Sequence, residues 1–477
     1  MRYIEGINRK RKLSFPEYID DYITENNTVR MIDAFVDSLN MCELGFKNAI
    51  TSSTGRPGYD PRDLLKLYIY GYMNRTTSSR RLEAETHKNI ELIWLLKSLK
   101  PDHKVISDFR KDNKDAIQNT FKQFVSLCKQ WDLFGMEIVA VDGSKFRASN
   151  SKRNNFSEKN LTRRIKYIDE KIQKYMSELD KNDDCEKTSH QLSASEIKEK
   201  IKELRNRKTL YYGYKDILNE KEINEISTTD PDARLMAVNN NGVDVCYNVQ
   251  TVVDNKYNLI VDTEVINNPT DQGQLSNMSI KAKEMFEVDD LKVLADKGYY
   301  NADDLKICDG NGITTYVPKQ IFSNATGERE FYLDKFSYNK ETDTYTCPAG
   351  YELRYTRKKA VSETTKRLIY KNNTACSNCT LKSKCTKGSR RAITRSTNQD
   401  FLDEVDKRTN ENKELYKTRQ MIVEHPFGTV KRAWGLSYFL TRGIKSVKTE
   451  TSLTFLAYNM KRVSNILGVR QILKGID

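Results

Sequence analysis

Asp142, Asp296 and Glu424 are the residues of this sequence best suited to chemistry. Asp142 closes the apolar run Glu137-Ile-Val-Ala-Val-Asp142, and Asp296 closes Leu291-Lys-Val-Leu-Ala-Asp296. Glu424 lies in a basic, helix-like stretch from Arg419 to Lys431. Two acids at strand ends and a third on a helix suit a two-metal phosphodiester site. There, Mg²⁺ ions about 3.5–4 Å apart activate the attacking oxygen and stabilise the leaving one, and hard carboxylate oxygens are the fitting ligands. Taken singly, an Asp after a short apolar run is more simply a turn or a helix cap.

Composition bounds the rest. The chain has 477 residues, 80 Lys+Arg against 66 Asp+Glu, and a formal charge of +14, which points to a polyanionic partner. No apolar run approaches the ~18–20 residues that cross a bilayer, and Met1-Arg-Tyr-Ile-Glu-Gly lacks the apolar region of a secretory signal. Nine cysteines in so charged a chain fit a reducing interior, so the expected location is cytoplasmic. No cysteine is paired with a catalytic His, and no Gly-rich phosphate loop is present, which argues against thiol nucleophiles and nucleotide hydrolysis.

The elements that must position the three acids can be read in order. Residues 1–130 are expected to be helical, with Asp60-Pro61 as cap and first turn, and Leu64, Leu65, Leu67, Tyr68 and Tyr72 forming one apolar face. Short helices there, from Thr77-Ser78-Ser79, through Ile90–Leu96 and around Ser107–Lys111, resemble a helix-turn-helix bundle, either DNA-binding or purely structural. Arg9-Lys10-Arg11-Lys12 is either a phosphate-contacting arm or a solvated tail. Residues 151–224 read as an inserted antiparallel helical hairpin, structural or dimer-forming, with Ile165, Ile168, Ile172, Tyr175 and Leu179 answered by Ile197, Ile201 and Leu204 across a turn at Asn182-Asp183-Asp184.

Strand signals follow. Val243–Val253, a turn at Asp254-Asn255 and Leu259–Ile266 predict a hairpin, Gln272–Phe286 a helix, and Ile313–Pro318 a further strand. With Glu137–Asp142 as first strand, the fold class is α/β: a ribonuclease H-like mixed sheet with flanking helices over residues 131–477. Pro426 must either open a new helix or interrupt a running one. A second insertion, residues 321–405, is Cys-rich and β-rich. Its Cys347, Cys376, Cys379 and Cys385 are either a tetrahedral Zn²⁺ site or reduced thiols in a packed insertion.

Four blocks together resemble the bacterial insertion-sequence DDE transposases, most nearly the 1182 family of insertion sequences. They are Val139-Ala-Val-Asp142-Gly-Ser-Lys145, Tyr247-Asn-Val-Gln250, Leu294-Ala-Asp296-Lys-Gly-Tyr-Tyr300 and Val423-Glu424-His-Pro-Phe-Gly-Thr-Val-Lys431-Arg432, with Gly55-Arg-Pro-Gly-Tyr-Asp60-Pro near the N-terminus. The resemblance implies that Asp142, Asp296 and Glu424 form a catalytic triad holding two Mg²⁺ or Mn²⁺ ions. It also implies that Tyr416, Arg419, Lys431 and Arg432 meet DNA. Between Arg419 and Glu424 this chain has four residues where the related pattern has three. The activity implied is cleavage at terminal inverted repeats and joining of the freed 3′ ends to target DNA, by a homodimer on double-stranded DNA. Between Asp406 and Arg462 there are 12 Lys+Arg and 5 Asp+Glu, a setting fit for an acid that handles DNA, or for an exposed basic helix that binds it without chemistry.

Overall fold

The computed structural model describes residues 18–50, 58–182, 193–220, 222–238, 242–320, 324–360 and 366–476. The basic run at 9–12, the start of the Gly55 block and the hairpin turn at 183–184 lie outside the described residues.

Six helices open the chain: α1 (Thr28–Asp37), α2 (Pro61–Met73), α3 (Ser79–Thr86), α4 (Ile90–Leu95), α5 (His103–Asp112) and α6 (Lys114–Gln130). Asp60 caps α2 as expected, accepting from Arg62 N at 2.8 Å, with Pro61 in the first turn. The helix departs from the single-face expectation because α1, α4, α5 and a C-terminal helix surround it, so nearly every side chain is buried. Lys66 is tolerated in that core because its ammonium meets Asp33 and Asp37 of α1 at 2.6 and 2.7 Å.

Strand β1 (Ile138–Arg147) begins the sheet. Then β2 (Asn155–Ser157), α7 (Glu158–Asn182), α8 (Ala194–Glu220) and β3 (Glu225–Ser227) form the expected hairpin. Ile165, Ile168, Ile197 and Ile201 are buried, and a small core of Phe156, Leu161 and Leu218 ties down the base. The sheet continues with β4 (Arg234–Val238), β5 (Gly242–Asp254) and β6 (Ile260–Ile266), crosses over through α9 (Leu275–Phe286) to β7 (Leu291–Ala295), and through α10 (Ala302–Gly310) to β8 (Ile313–Tyr316).

Its order is β4-β5-β1-β7-β8, with β6 also paired to β5. The β5–β1 and β5–β6 pairs are antiparallel, whereas β7 and β8 run parallel to β1. The result is a mixed sheet flanked by helices. Helix α9 starts three residues later than its sequence suggests because its cap is non-local: Asp304 accepts from Leu275 N and Ser276 N, both at 2.9 Å.

A second, five-stranded sheet has the order β13-β12-β11-β10-β9. It comprises β9 (Ser337–Asn339), β10 (Thr344–Thr346), β11 (Glu352–Ala360), β12 (Lys366–Lys371), the short helices α11 (Asn373–Ser377) and α12 (Lys382–Cys385), and β13 (Ala392–Ser396). Its core, Phe336, Tyr345, Leu353, Tyr370 and Ile393, is separate from the main one. Four helices close the chain: α13 (Gln399–Glu411), α14 (Lys413–Gly428), α15 (Ile444–Leu467) and α16 (Val469–Ile476).

Pro426 lies inside α14, which widens into a π turn over Thr429–Ala433. Helix α15 packs against α2, α6 and β6, so the opening helices and the sheet share one continuous core. On the flank of β6, Asn459 replaces a neighbouring strand: its amide accepts from Ile260 N at 2.9 Å and donates to Ile260 O at 2.8 Å. Among the described residues no helix is long and apolar enough to cross a membrane.

Candidate active site

The parallel pairing of β1 and β7 is what joins the two aspartates. Its register runs from Ile138 opposite Lys292 to Val141 opposite Ala295, so the next step sets Asp142 against Asp296 on strands roughly 4.8 Å apart. There β7 stops. Asp296 turns the chain, its Oδ1 accepting from Gly298 N at 2.6 Å. Strand β1 does not end at Asp142, as its sequence had suggested, but runs five residues further because β5 pairs with it as far as Arg147. Asp142 therefore sits where parallel pairing ends inside a strand held on its other side.

This position perturbs its carboxyl group. Burial pushes the Asp142 pKa up to about 7. The carboxylates of Asp296 and Asp271 push in the same direction, while Arg419 and the Gly143 N–H oppose them. The guanidinium of Arg419, on α14, lies 3.9 Å from Asp142 Oδ1. Tyr416, one turn earlier, is half-buried and feels the charges of Arg419 and of both aspartates. Two of the residues expected to meet DNA thus stand at the aspartate pair.

Asp271 is the acid the sequence reading missed. It lies in the loop between β6 and α9, and its Oδ1 accepts from Asn248 Nδ2 at 2.7 Å, Gln250 Nε2 at 2.8 Å and Lys145 Nζ at 3.3 Å. The buried Tyr299 hydroxyl donates to Gln250 Oε1. This network fills the space where residue 143 would carry a side chain: a Cβ there would meet Gln250 Nε2 at 2.2 Å and Asp271 Oδ1 at 2.5 Å. Gly143 is required by close approach. The blocks around Asp142 and Tyr247 were conspicuous in the sequence, but only the fold shows that they meet over Asp271.

Glu424 stands differently. Its carboxylate is exposed and accepts from Gln420 Nε2 at 2.7 Å, one turn back on α14. Among the described residues no group of three or more His, Cys, Asp or Glu side chains is arranged to hold a metal ion. What does fit a hard cation is the aspartate pair, where desolvation and like charges raise the Asp142 pKa and where positive charge would relieve both.

Lys431 is engaged within the chain. It donates to Ser144 Oγ and Lys145 O, both at 2.6 Å, and lies 4.2 Å from the centre of the Phe146 ring. Burial lowers its pKa to about 8. It braces β1 just past Asp142, while Arg432 is exposed. His425 is a local hydrogen-bonding residue. Arg462 can only donate to Nε2 (3.0 Å), so Nδ1 carries the proton toward the Tyr458 hydroxyl (2.7 Å), which donates to Asn258 O.

Cys347, Cys376, Cys379 and Cys385 line one small apolar cavity with Phe331, Phe336 and Leu353. Burial, and then the neighbouring thiols, raise the Cys385 pKa against the opposing charge of Arg391. The thiols come from four separate turns and helix ends and are packed into an apolar lining. Their spacing left a zinc site and reduced, packed thiols both open, and all four are free of disulfides in this apolar lining.

A mixed α/β sheet carrying paired aspartates beside an arginine is an architecture for phosphodiester chemistry. Comparison with known families adds identity: residues 17–112 match the Transposase domain (DUF772), and residues 346–464 match the Transposase DDE domain. The chain thus carries transposase domains, and the second match spans Tyr416, Arg419, Glu424, Lys431 and Arg432 but neither aspartate. Among curated proteins no match is found. A piggyBac transposase, solved by cryo-EM in a synaptic complex with hairpin DNA, aligns over 94% of this chain and 78% of its own at 8% identity. Its TM-score of 0.30 is too low to bear on the fold.

Proposed function

We propose that this protein is an insertion-sequence transposase, similar to the 1182 family, that binds the terminal inverted repeats of its element as a homodimer, cuts at the element ends and joins the 3′ ends to target DNA. The carrying observation is the β1–β7 register, which puts Asp142 beside Asp296. The order β6-β5-β1-β7-β8, with a first strand and a later parallel neighbour each presenting an acid, supports a ribonuclease H-like assignment for residues 131–477. Residues 1–130 serve as the DNA-binding region, and the hairpin and the Cys-rich sheet are insertions.

Asp142 and Asp296 would hold divalent cations, Mg²⁺ or Mn²⁺. Such ions, when bound, activate a water or a 3′ hydroxyl and stabilise the leaving oxygen. Arg419 compensates the Asp142 charge and, once released, faces a phosphate; Tyr416 orients it. Asp271, through Asn248, Gln250 and Lys145, fixes the backbone around Gly143. Glu424 completes the triad by leaving Gln420 when DNA is bound.

The test is cutting of an element-end duplex with Mn²⁺, followed by joining of a pre-cut end. Asp142→Ala abolishes both reactions if the proposal holds. Cutting without joining would reveal a nuclease, and cutting that survives Asp142→Ala would overturn the site. Glu424's exposed position favours a second reading, a DNA-binding derivative without catalysis. Wild-type cutting that is lost in Glu424→Gln excludes it.

A further inference from the structure

The second sheet carries a surface that the proposed active site does not use. In β11 every residue from Arg354 to Ala360 is exposed. Alternate side chains of a strand point to opposite faces, so both faces of this segment meet solvent. Strand β10 pairs only with Glu352–Arg354, which leaves the rest of β11 as an outer strand backed by β12 alone.

This segment is dense in cations. Arg354, Arg357, Lys358 and Lys359 of β11 and Lys366 and Arg367 of β12 are all exposed, and Glu352 is the one acid on the two strands. The register sets Arg354 opposite Lys371 and Lys359 opposite Arg367. Like charges directly opposite one another destabilise a sheet, and a segment such as Arg354–Ala360, exposed on both faces, gains little from burial. Among the described residues only Arg354 has an acidic partner, Glu352 at 3.7 Å.

Edge protection explains a lysine or two on an outer strand. It does not explain cations paired across the ladder. Arg395, on β13 of the same sheet, shows what a structural cation looks like here: it is buried over the Tyr338 ring and bonded to Asp400 and Asp403.

We infer that the β11–β12 ribbon is a docking surface for the phosphate backbone of duplex DNA. The inference rests on the transposase reading for its choice of polyanion, and the contacts are independent of base sequence.

The test uses the full chain and a random-sequence duplex, with affinity read by fluorescence anisotropy between 50 and 200 mM salt. Each phosphate contact contributes about 0.9 to the slope of log affinity against log salt. The combined change Arg357→Ser, Lys358→Ser, Lys359→Ser and Arg367→Ser lowers that slope by roughly two to four. The charge-retaining pair Lys358→Arg and Lys359→Arg keeps the wild-type slope. Thermal stability of the serine variant is unchanged or higher, because like-charge pairs are relieved; a lower Tm with an unaltered slope would make the cations structural and overturn the inference. Wild-type affinity in the serine variant would also overturn it while leaving the active-site reading intact. Failure of the wild type to bind duplex would sink both.

Discussion

The end of the central sheet and strands β11 and β12 of the Cys-rich sheet both concentrate charge, and they do it in opposite ways. Around Asp142 the charges are few, partly buried and mutually arranged: Asp296 beside it, Arg419 at 3.9 Å, Asp271 held by three donors. On β11 and β12 they are numerous, mostly exposed and, but for Glu352, of one sign. Desolvation makes each charge in the first region strongly felt, so its chemistry depends on placement. In the second region solvent screens each charge, so only their number matters.

Substitutions at the aspartate pair should therefore produce the largest effects. Asp142→Ala or Asp296→Ala is expected to lower metal-dependent cutting by about 10³-fold or more, roughly 4 kcal/mol of barrier, with the duplex-binding salt slope unaltered. The stability change has the opposite sign. With its pKa raised to about 7, folded Asp142 retains a proton that the unfolded chain gives up near pH 4. Its contribution is therefore present below pH 4 and is lost as pH rises through 7. Asp142→Asn removes that loss, so its Tm at pH 8 should exceed the wild type's while cutting is absent. A lower Tm at pH 8 would mean that the carboxylate is not held against its charge.

Next comes Gly143→Ala. The added Cβ has hydrogen-bonded polar side chains in its way, at 2.2 Å from Gln250 Nε2 and 2.5 Å from Asp271 Oδ1. Overpacking of this kind costs about 1–3 kcal/mol. Denaturant unfolding measures it, and cutting should fall as well, because the displaced network holds the strand that bears Asp142. Full activity in this variant would separate the Asp271 network from the active site.

The same contrast explains what the sequence disclosed. Asp142 and Asp296 stood out because each closes an apolar run, and the β5–β6 hairpin and the α2 cap because their signals are local. Asp271 did not stand out: it lies in Asn267-Asn-Pro-Thr-Asp271, which reads as a polar turn, and its partners come from β1 and β5. The length of β1 was hidden for a similar reason, since β5 continues the pairing beyond Asp142. The start of α9 depends on Asp304, far along the chain. Glu424 was legible as an acid in a basic helix, but the direction it faces depends on how α14 rotates on the sheet and widens after Pro426. The cysteine spacing left zinc and packed thiols both open, and the apolar lining around the four thiols was not legible in it.

The smallest expected effects refine the comparison within a single sheet. Arg395 and Arg367 are neighbours in kind, one on β13 and one on β12, with opposite surroundings. Arg395→Ala removes a buried guanidinium from the Tyr338 ring and from two carboxylates that are themselves half-exposed. Its cost should be about 1–3 kcal/mol, below that of a fully buried pair, because Asp400 and Asp403 can return to water. Arg367→Ala should lie within about 0.5 kcal/mol of wild type, or stabilise slightly by relieving Lys359. In duplex binding the order reverses: Arg367→Ala reduces the salt slope and Arg395→Ala leaves it. Equal stability costs for the two arginines would remove the distinction between a cation that holds the sheet together and one displayed for a partner.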